Sequence, residues 1–267
     1  MCMERNTDNG HNHLSLLMLW NPMSSHRHAR DICRSCARLL FVTLFLTGSG
    51  AVPFASSAEQ TGATLTGQVV FRGMVPPPQV VTVTRNPEIC GATMTLQPLI
   101  VQSRTNGVLN AVVSIDGDSL PPKTDPPEAV TVTNDRCAFS PHVEAVSVGN
   151  TLEIGNLDHF LHNTHIRIDT RTFLNVAMVD GGKPVKKILK QPGIFSIRCD
   201  IHQFMQGYVL AFNHPYYTVT PASGDFRIVG VPAGRHQITV WHETLGTLQR
   251  EVAVPAQGEL SMTLEFP

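Results

Sequence analysis

Short β-branched segments recur along most of this chain, and they constrain the fold more than any other feature. Each segment is bounded by Gly, Pro, Asn or Asp, which end strands and form turns. Twenty Gly and 19 Pro residues agree with many tight turns, and no long helical stripe competes. The expected class is therefore an all-β sandwich. The clearest strand candidates are residues 64–71, 80–84, 111–115, 145–148, 151–154 and 193–198.

The first 58 residues have the pattern of a secretory signal peptide. Arg30, Arg34 and Arg38 precede an apolar run at residues 39–46, and small residues follow at 56–58, where cleavage is expected. The alternative is an uncleaved membrane anchor, but the apolar run is shorter than the roughly 20 residues that a span needs. We therefore expect a periplasmic or secreted protein without stable membrane insertion after cleavage.

A run of three soft metal-ligand types occupies seven residues, Cys-Asp-Ile-His-Gln-Phe-Met. Cys199, His202 and Met205 are separated by two residues each, so a tight loop can turn all three side chains toward one point. An electron-transfer copper site needs one more histidine, and His162 offers it. Zinc is the rival metal, but structural zinc sites favour four Cys and His ligands, and Met is a poor zinc ligand. The residues therefore favour copper.

Residues from about 129 to 213 resemble a cupredoxin, the blue-copper fold of plastocyanin and amicyanin. The pair His162–Asn163 follows the segment 139–141 and the turn 148–150, as in that family, and the ligand loop has a spacing similar to that of amicyanin. The resemblance implies a Greek-key β-sandwich that holds one type 1 copper. Its implied ligands are His162, Cys199, His202 and Met205.

The same resemblance assigns roles to the neighbours of the ligands. Asn163 is expected to bond across to the cysteine loop and pin the two ligand loops together. Exposed His202 is expected to be the electron port, within an apolar collar of Phe160, Ile201 and Phe204 that docks a redox protein such as a c-type cytochrome or a dehydrogenase. Asp158 and Asp200 flank the ligands. We expect them to be solvated turn residues, the alternative being that they tune the charge of the site.

Cysteine counting predicts one disulfide. Removal of the leader leaves Cys90, Cys137 and Cys199. In an oxidising compartment two of these should pair, and the metal requires Cys199 as a free thiolate. A disulfide between Cys90 and Cys137 follows. The competing hypothesis is a zinc site that uses all three cysteines.

The remaining residues predict a second β-sandwich. Segments at 219–226, 231–234 and 236–241 resemble the carboxypeptidase regulatory-like, transthyretin-like fold, whose opening strands match residues 67–71 and 111–115. Since Pro121–Pro127 looks like a linker, we expect a split domain of residues 60–127 plus 214–267, with a cupredoxin domain at 128–213 inserted at a hairpin tip. The alternative is three domains in line.

Several motifs also follow one another in the order seen in proteins labelled methylamine utilisation or plastocyanin-like. That label is a name and implies no demonstrated activity. The matching patterns are GxVxFxG at 67–73, NxVV at 110–113, CxFxPHV at 137–143, HNxH at 162–165, CDIHxxM at 199–205 and WHExLG at 241–246.

The expected function is single-electron transfer by a non-enzymatic copper protein. A copper enzyme would need a second centre with His-x-His pairs, and the chain after the leader contains none. That part of the chain carries 15 basic and 18 acidic residues, a net charge of −3, which gives no basic face for nucleic acid. The alternative is a copper-binding or cell-surface interaction module with no electron-transfer role.

Overall fold

The computed structural model describes residues 62–116 and 120–267. The expected signal peptide at residues 1–58 lies outside the described residues. Apart from one four-residue helix, the described part of the chain is built from strands and turns, so the all-β prediction is confirmed. No helix in these two ranges has the length and apolar character that a membrane span requires.

Eighteen strands and one short helix are found in the described ranges. The first half contains β1 (Ala63–Phe71), β2 (Gln79–Thr82), α1 (Pro87–Cys90), β3 (Thr93–Leu96), β4 (Val112–Asp116), β5 (Ala129–Asp135), β6 (Ala138–Ser140), β7 (Val143–Ser147), β8 (Thr151–Asn156) and β9 (His162–Ile168). The second half contains β10 (Arg171–Met178), β11 (Val185–Ile188), β12 (Gly193–Arg198), β13 (Gln206–Phe212), β14 (Tyr217–Val219), β15 (Asp225–Val231), β16 (Gly234–His242), β17 (Gly246–Val254) and β18 (Glu259–Phe266).

Strands from the two ends of the described chain form one pair of sheets. The orders are β15-β1-β18 and β14-β4-β16-β17, with β1 antiparallel to β15 and parallel to β18. Alternate side chains of these strands point into a shared core, as a period of two requires. We call this unit the outer sandwich. Its most buried members include Leu65, Val69, Val113, Ile115, Phe226, Ile238 and Leu264.

The middle of the chain forms a second pair of sheets, which we call the central sandwich. The orders are β10-β9-β12-β13-β7 and β11-β8-β5-β6. Strand β9 alternates strictly, so His162 shares its buried face with Ile166, while His165 points to the opposite side. The shared core includes Val132, Leu152, Ile154, Ile166, Phe195, Ile197 and Val209, and it extends to Cys199 and Met205.

The two sandwiches meet through a small apolar cluster. Val112 of the outer sandwich packs with Val143 and Leu210 of the central one, and the Tyr208 and Trp241 rings meet edge to face at 5.1 Å. The outer core draws on residues 63–120 and 216–266, and the central core on residues 132–211. We retain the split-domain boundaries and the transthyretin-like assignment as proposals.

A hairpin outside both sandwiches covers one end of the central sandwich. Strands β2 and β3 pair with each other in a separate two-stranded sheet, and helix α1 lies between them. We call residues 79–96 the arm. A disulfide joins Cys90 of the arm to Cys137 in the turn between β5 and β6. The arm therefore has a covalent attachment beside the predicted ligand loops.

Candidate metal centre

Three of the predicted ligands lie together at the end of the central sandwich. Cys199 follows β12, His202 lies in the turn after it, and His162 opens the neighbouring strand β9. Their ligand atoms all lie within 4.8 Å of one another, and this is the one such group of three His, Cys, Asp or Glu in the described part of the chain. All three side chains are buried, with exposures of 0–1%.

The spacing of these atoms fits a single first-row metal ion. The Cys199 sulfur lies 3.9 Å from Nδ1 of His162 and 3.6 Å from Nδ1 of His202. A metal about 2.0 Å from nitrogen and about 2.3 Å from sulfur in a trigonal plane separates those atoms by about 3.7 Å. One thiolate and two imidazoles form the planar ligand set of mononuclear blue-copper sites. The residues present therefore fit such an ion.

Met205 closes the same loop. Its N–H donates to the carbonyl of His202 at 2.8 Å, and its carbonyl accepts from the N–H of Cys199 at 3.4 Å. The Met205 side chain is 2% exposed and belongs to the core of the central sandwich. The loop is thus a compact turn that places all three of its soft residues on the buried side.

Two backbone N–H groups are directed at the cysteine sulfur. Those of Asn163 and His202 each lie 3.4 Å from it. These contacts fix the position of the sulfur between the two ligand segments. The thiolate is the form that binds metal.

Nε2 of His162, the ring nitrogen that faces away from Cys199, is hydrogen-bonded to Asp158. Nε2 lies 2.7 Å from Oδ2 of Asp158, which leaves Nδ1 to face Cys199. Burial raises the pKa of Asp158, but hydrogen bonds from the Cys137 N–H, His162 and the Arg136 N–H outweigh it, so the pKa lies below its usual value. Asp158 is thus an ionised, partly buried partner of His162, and the expectation of a solvated turn residue is wrong.

Nε2 of His202, the ring nitrogen that faces away from Cys199, is hydrogen-bonded to Asn86 of the arm. Nε2 of His202 lies 3.1 Å from Oδ1 of Asn86. His202 is only 1% exposed, so the expectation of an exposed electron port is wrong. The reason is the arm, which covers the ligand from 116 residues away in sequence.

Burial also keeps both histidines ready to bind a metal. It lowers the pKa of His162, which the contact with Asp158 only partly opposes. Burial lowers the pKa of His202 as well, and His162 adds to that effect. Both imidazoles are therefore neutral at pH 7, and a neutral imidazole is the ligand form.

Asn163 connects the two ligand segments. Its Oδ1 accepts from the N–H of Asp200 at 3.1 Å, and its Nδ2 donates to Oδ1 of Asn175 at 2.5 Å. Asp200 also contacts His165 at 3.2 Å across the same strand edge. The side chain of Asn163 thus links β9 to the residue that follows Cys199.

The three residues proposed for partner docking occupy different environments. The Phe160 ring lies 4.5 Å from His162 and 5.6 Å from His202, centroid to centroid, and the side chain is half-buried. Ile201 and Phe204 line a cavity together with Arg85 and Asn86 of the arm. Phe160 does not line that cavity and instead packs against both histidine rings.

The predicted disulfide is present, and Cys199 is free and buried. Because Cys90 and Cys137 are bonded to each other, a zinc site made from all three cysteines is excluded.

The sequence did not predict two hydrogen-bond partners of the histidines, Asn86 and Asp158. Asn86 carries no local signal, whereas the position of Asp158 four residues before His162 is a signal that the sequence does contain.

Comparisons with known proteins return weak structural similarity. No protein-family model matches the chain, and no curated protein matches it. An amicyanin variant in its reduced state is 19% identical with a TM-score of 0.29, covering 38% of this chain and 98% of that one. A purple cupredoxin from Nitrosopumilus maritimus is 18% identical, with a TM-score of 0.28 and coverage of 31% and 98%. An oxidised plastocyanin from Dryopteris crassirhizoma is 16% identical, with a TM-score of 0.28 and coverage of 31% and 100%.

Proposed function

We propose that this protein is an exported, mononuclear type 1 copper protein that carries single electrons between redox partners. The observation that carries the proposal is the buried group of Cys199, His162 and His202, whose ligand atoms have the mutual spacing of one ion. Met205 is proposed as the fourth, weak ligand. Copper bound there would supply a one-electron couple with the thiolate as its electronic route.

The chain itself provides a preorganised and dry site. Asp158 and Asn86 orient the two imidazoles, and Asn163 joins the segments that carry them. Because all four proposed ligands are at most 2% exposed, water has little access to them. A site whose ligands are already in place needs little rearrangement when its charge changes, which suits fast electron exchange.

The proposed location is the periplasm or the outside of the cell. The leader pattern supports export, and the Cys90–Cys137 disulfide is typical of an oxidising compartment. The proposed partner is a redox protein such as a c-type cytochrome or a dehydrogenase. Since the arm covers His202, we place the approach at Phe160, between Leu157 and Leu161, which are 64% and 47% exposed.

A spectrum with a measured potential tests the proposal. Protein loaded with copper(II) should show an intense visible thiolate-to-copper absorption and reversible one-electron reduction. Cys199→Ser should abolish the absorption while the far-UV circular dichroism of the β fold is retained. A colourless wild-type protein with ordinary tetragonal copper would overturn the blue-copper assignment. Intense colour without electron exchange with any c-type cytochrome would favour the alternative, a copper-binding module.

A further inference from the structure

Each half of the Cys90–Cys137 disulfide is connected by hydrogen bonds to one of the two histidines of the centre. On the Cys137 side, the N–H of Cys137 donates to Oδ2 of Asp158 at 2.9 Å, and the same oxygen lies 2.7 Å from Nε2 of His162. On the Cys90 side, the N–H of Cys90 donates to the carbonyl of Asn86 at 2.9 Å. The side chain of Asn86 then meets His202.

We propose that the arm, its disulfide and Asp158 form an outer brace that sets the tautomer and orientation of both histidines, with Asn86 and Asp158 as positioning residues. The inference rests on the metal-binding function proposed above, and it assigns a task to the arm. It also gives the disulfide a role in the centre beyond stability.

The backbone at Arg136–Cys137 and at Asn86 has positive φ angles that allow these contacts. Arg136 and Cys137 have φ angles of 51° and 59°, so two consecutive N–H groups point at the Asp158 carboxylate, at 2.6 and 2.9 Å. Successive N–H groups of this kind form a small anion-binding concavity. Asn86 has a φ of 53°, a left-handed conformation that Asn tolerates better than most residues.

The direction of the Asn86 amide follows from its second contact. Nδ2 of Asn86 lies 3.4 Å from a carboxylate oxygen of Glu88, and an ionised carboxylate can only accept. The amide oxygen therefore faces His202, and His202 must carry its proton on Nε2. Nδ1 is then unprotonated and faces the Cys199 sulfur, as metal binding requires.

The arm depends on few attachments. Its strands pair only with each other within the described residues, and most of their side chains are exposed. The disulfide is therefore the covalent tether that keeps Asn86 over His202. Loss of the disulfide should release His202 from its acceptor and also loosen the turn that holds Asp158.

The test uses substitutions matched to the left-handed backbone. Asn86→Gly removes the amide and keeps the conformation, because Gly adopts positive φ freely. Asn86→Asp retains an acceptor. Asn106→Gly is the control, since Asn106 also has a positive φ, 57°, but lies in the loop before β4, where its carbonyl accepts from Phe71 of the outer sandwich.

Two measurements test the brace separately from the proposed metal binding. The first reads the tautomer of His202 in metal-free protein by long-range proton–nitrogen NMR correlation. Wild type, Asn86→Asp and Asn106→Gly should show the Nε2–H form, whereas Asn86→Gly and Cys90→Ala/Cys137→Ala should show a mixture. The second measures cobalt(II) and copper(II) affinity by competition, where Asn86→Gly should lose about 10- to 100-fold, as is typical when an outer partner of a ligand is removed.

The outcomes are distinct. An Asn86→Gly protein with the wild-type tautomer and the wild-type affinity would overturn the brace. If the double cysteine variant fails to fold, the Asn86→Gly result still decides the matter. A wild-type protein that binds neither metal at Cys199 would overturn the proposed function, while the tautomers measured without metal would still test the brace.

Discussion

His142 and Glu243, 101 residues apart, form a hydrogen bond across the contact between the two sandwiches. Glu243 follows β16 of the outer sandwich and is 4% exposed, and its second carboxylate oxygen accepts from Nε2 of Gln206 at 3.1 Å. Gln206 directly follows Met205. The pair lies in the wall of a cavity of about 670 Å³ that Met205 also lines. A carboxylate of the outer sandwich thus contacts the residue that directly follows the ligand loop.

Removal of that carboxylate should destabilise the protein. Glu243→Ala leaves the partly buried donors of His142 and Gln206 without their acceptor, which costs up to about 1–3 kcal/mol in the free energy of unfolding. In a double-mutant cycle with His142→Ala, the coupling energy should be about 0.5–3 kcal/mol, measured by urea unfolding. Glu251→Ala, at an exposed position of β17, is the control and should change stability by less than about 0.5 kcal/mol. Purely additive effects of the two substitutions would contradict the pairing.

The disulfide should contribute strongly to stability. Cys90 and Cys137 are separated by 47 residues, and the chain-entropy relation for a loop of that length gives about 4 kcal/mol at 25 °C. We expect Cys90→Ala/Cys137→Ala to lower the free energy of unfolding by up to that amount, as measured on metal-free protein. Wild type treated with a reductant should match the variant. An unchanged unfolding midpoint in both would show that the loop closure contributes nothing.

Met205 offers a way to separate packing from ligation. Met205→Leu conserves volume and should change the stability of metal-free protein by less than about 1.5 kcal/mol. Met205→Ala opens a cavity at a position that is 2% exposed and should cost about 2–5 kcal/mol. Both remove the thioether, so both should weaken copper(I) binding in a competition assay. A Leu variant that binds copper(I) as tightly as wild type would exclude Met205 from the ligand set.

Two buried histidines outside the centre should make metal-free protein less stable in acid. Burial lowers the pKa of His214 and of His242 below 6.5, although Asp116 and Glu243 respectively oppose the shift. The unfolded chain then takes up protons first as the pH falls through 6.5. The free energy of unfolding should be highest above that pH and decrease below it.

Urea unfolding at pH 7.5 and 5.5 checks this pH dependence. His214→Asn should reduce the difference between the two pH values, since it removes one of the buried histidines whose pKa is lowered. Glu144 acts with the opposite sign at lower pH, because burial raises its pKa above 4.5. The comparison with the variant therefore isolates the histidine. An identical pH difference in wild type and His214→Asn would contradict the assignment.

The proposed approach of a partner at Phe160 predicts a local charge effect. Leu161→Glu places a charge in the exposed apolar surface beside Phe160 and should slow electron exchange with a c-type cytochrome several-fold. Val229→Glu is the matched control, because Val229 is 45% exposed against 47% for Leu161 but lies in the outer sandwich. Stopped-flow rates at several salt concentrations measure the effect. Equal rates for the two variants would place the docking surface elsewhere.

Local sequence patterns predicted the strands and the ligand candidates. The period-two alternation of β9 turns His162 inward, and the two-residue spacing of Cys199, His202 and Met205 matches one tight turn. These features depend on neighbours along the chain, so the sequence reveals them. The metal-binding roles of these residues stay a prediction until a metal is bound.

The environment of the ligands could not be predicted in the same way. Asn86 has no motif, and it contacts His202 from an arm that a disulfide joins to the central sandwich. Asp158 was recognised as a neighbour of a ligand but not as its hydrogen-bond partner. Glu243 belongs to the WHExLG motif, and its hydrogen bond with His142 depends on the packing of the two sandwiches.

By itself the sequence determined the all-β class, the cysteine pairing and the residues able to bind a soft metal. Those properties follow from side-chain chemistry and short-range periodicity. Only the tertiary structure decided that His202 is covered, that Asp158 is partly buried beside His162, and that the outer sandwich contacts the residue after the ligand loop. These contacts join segments up to 116 residues apart, and their positions depend on how whole sheets pack together.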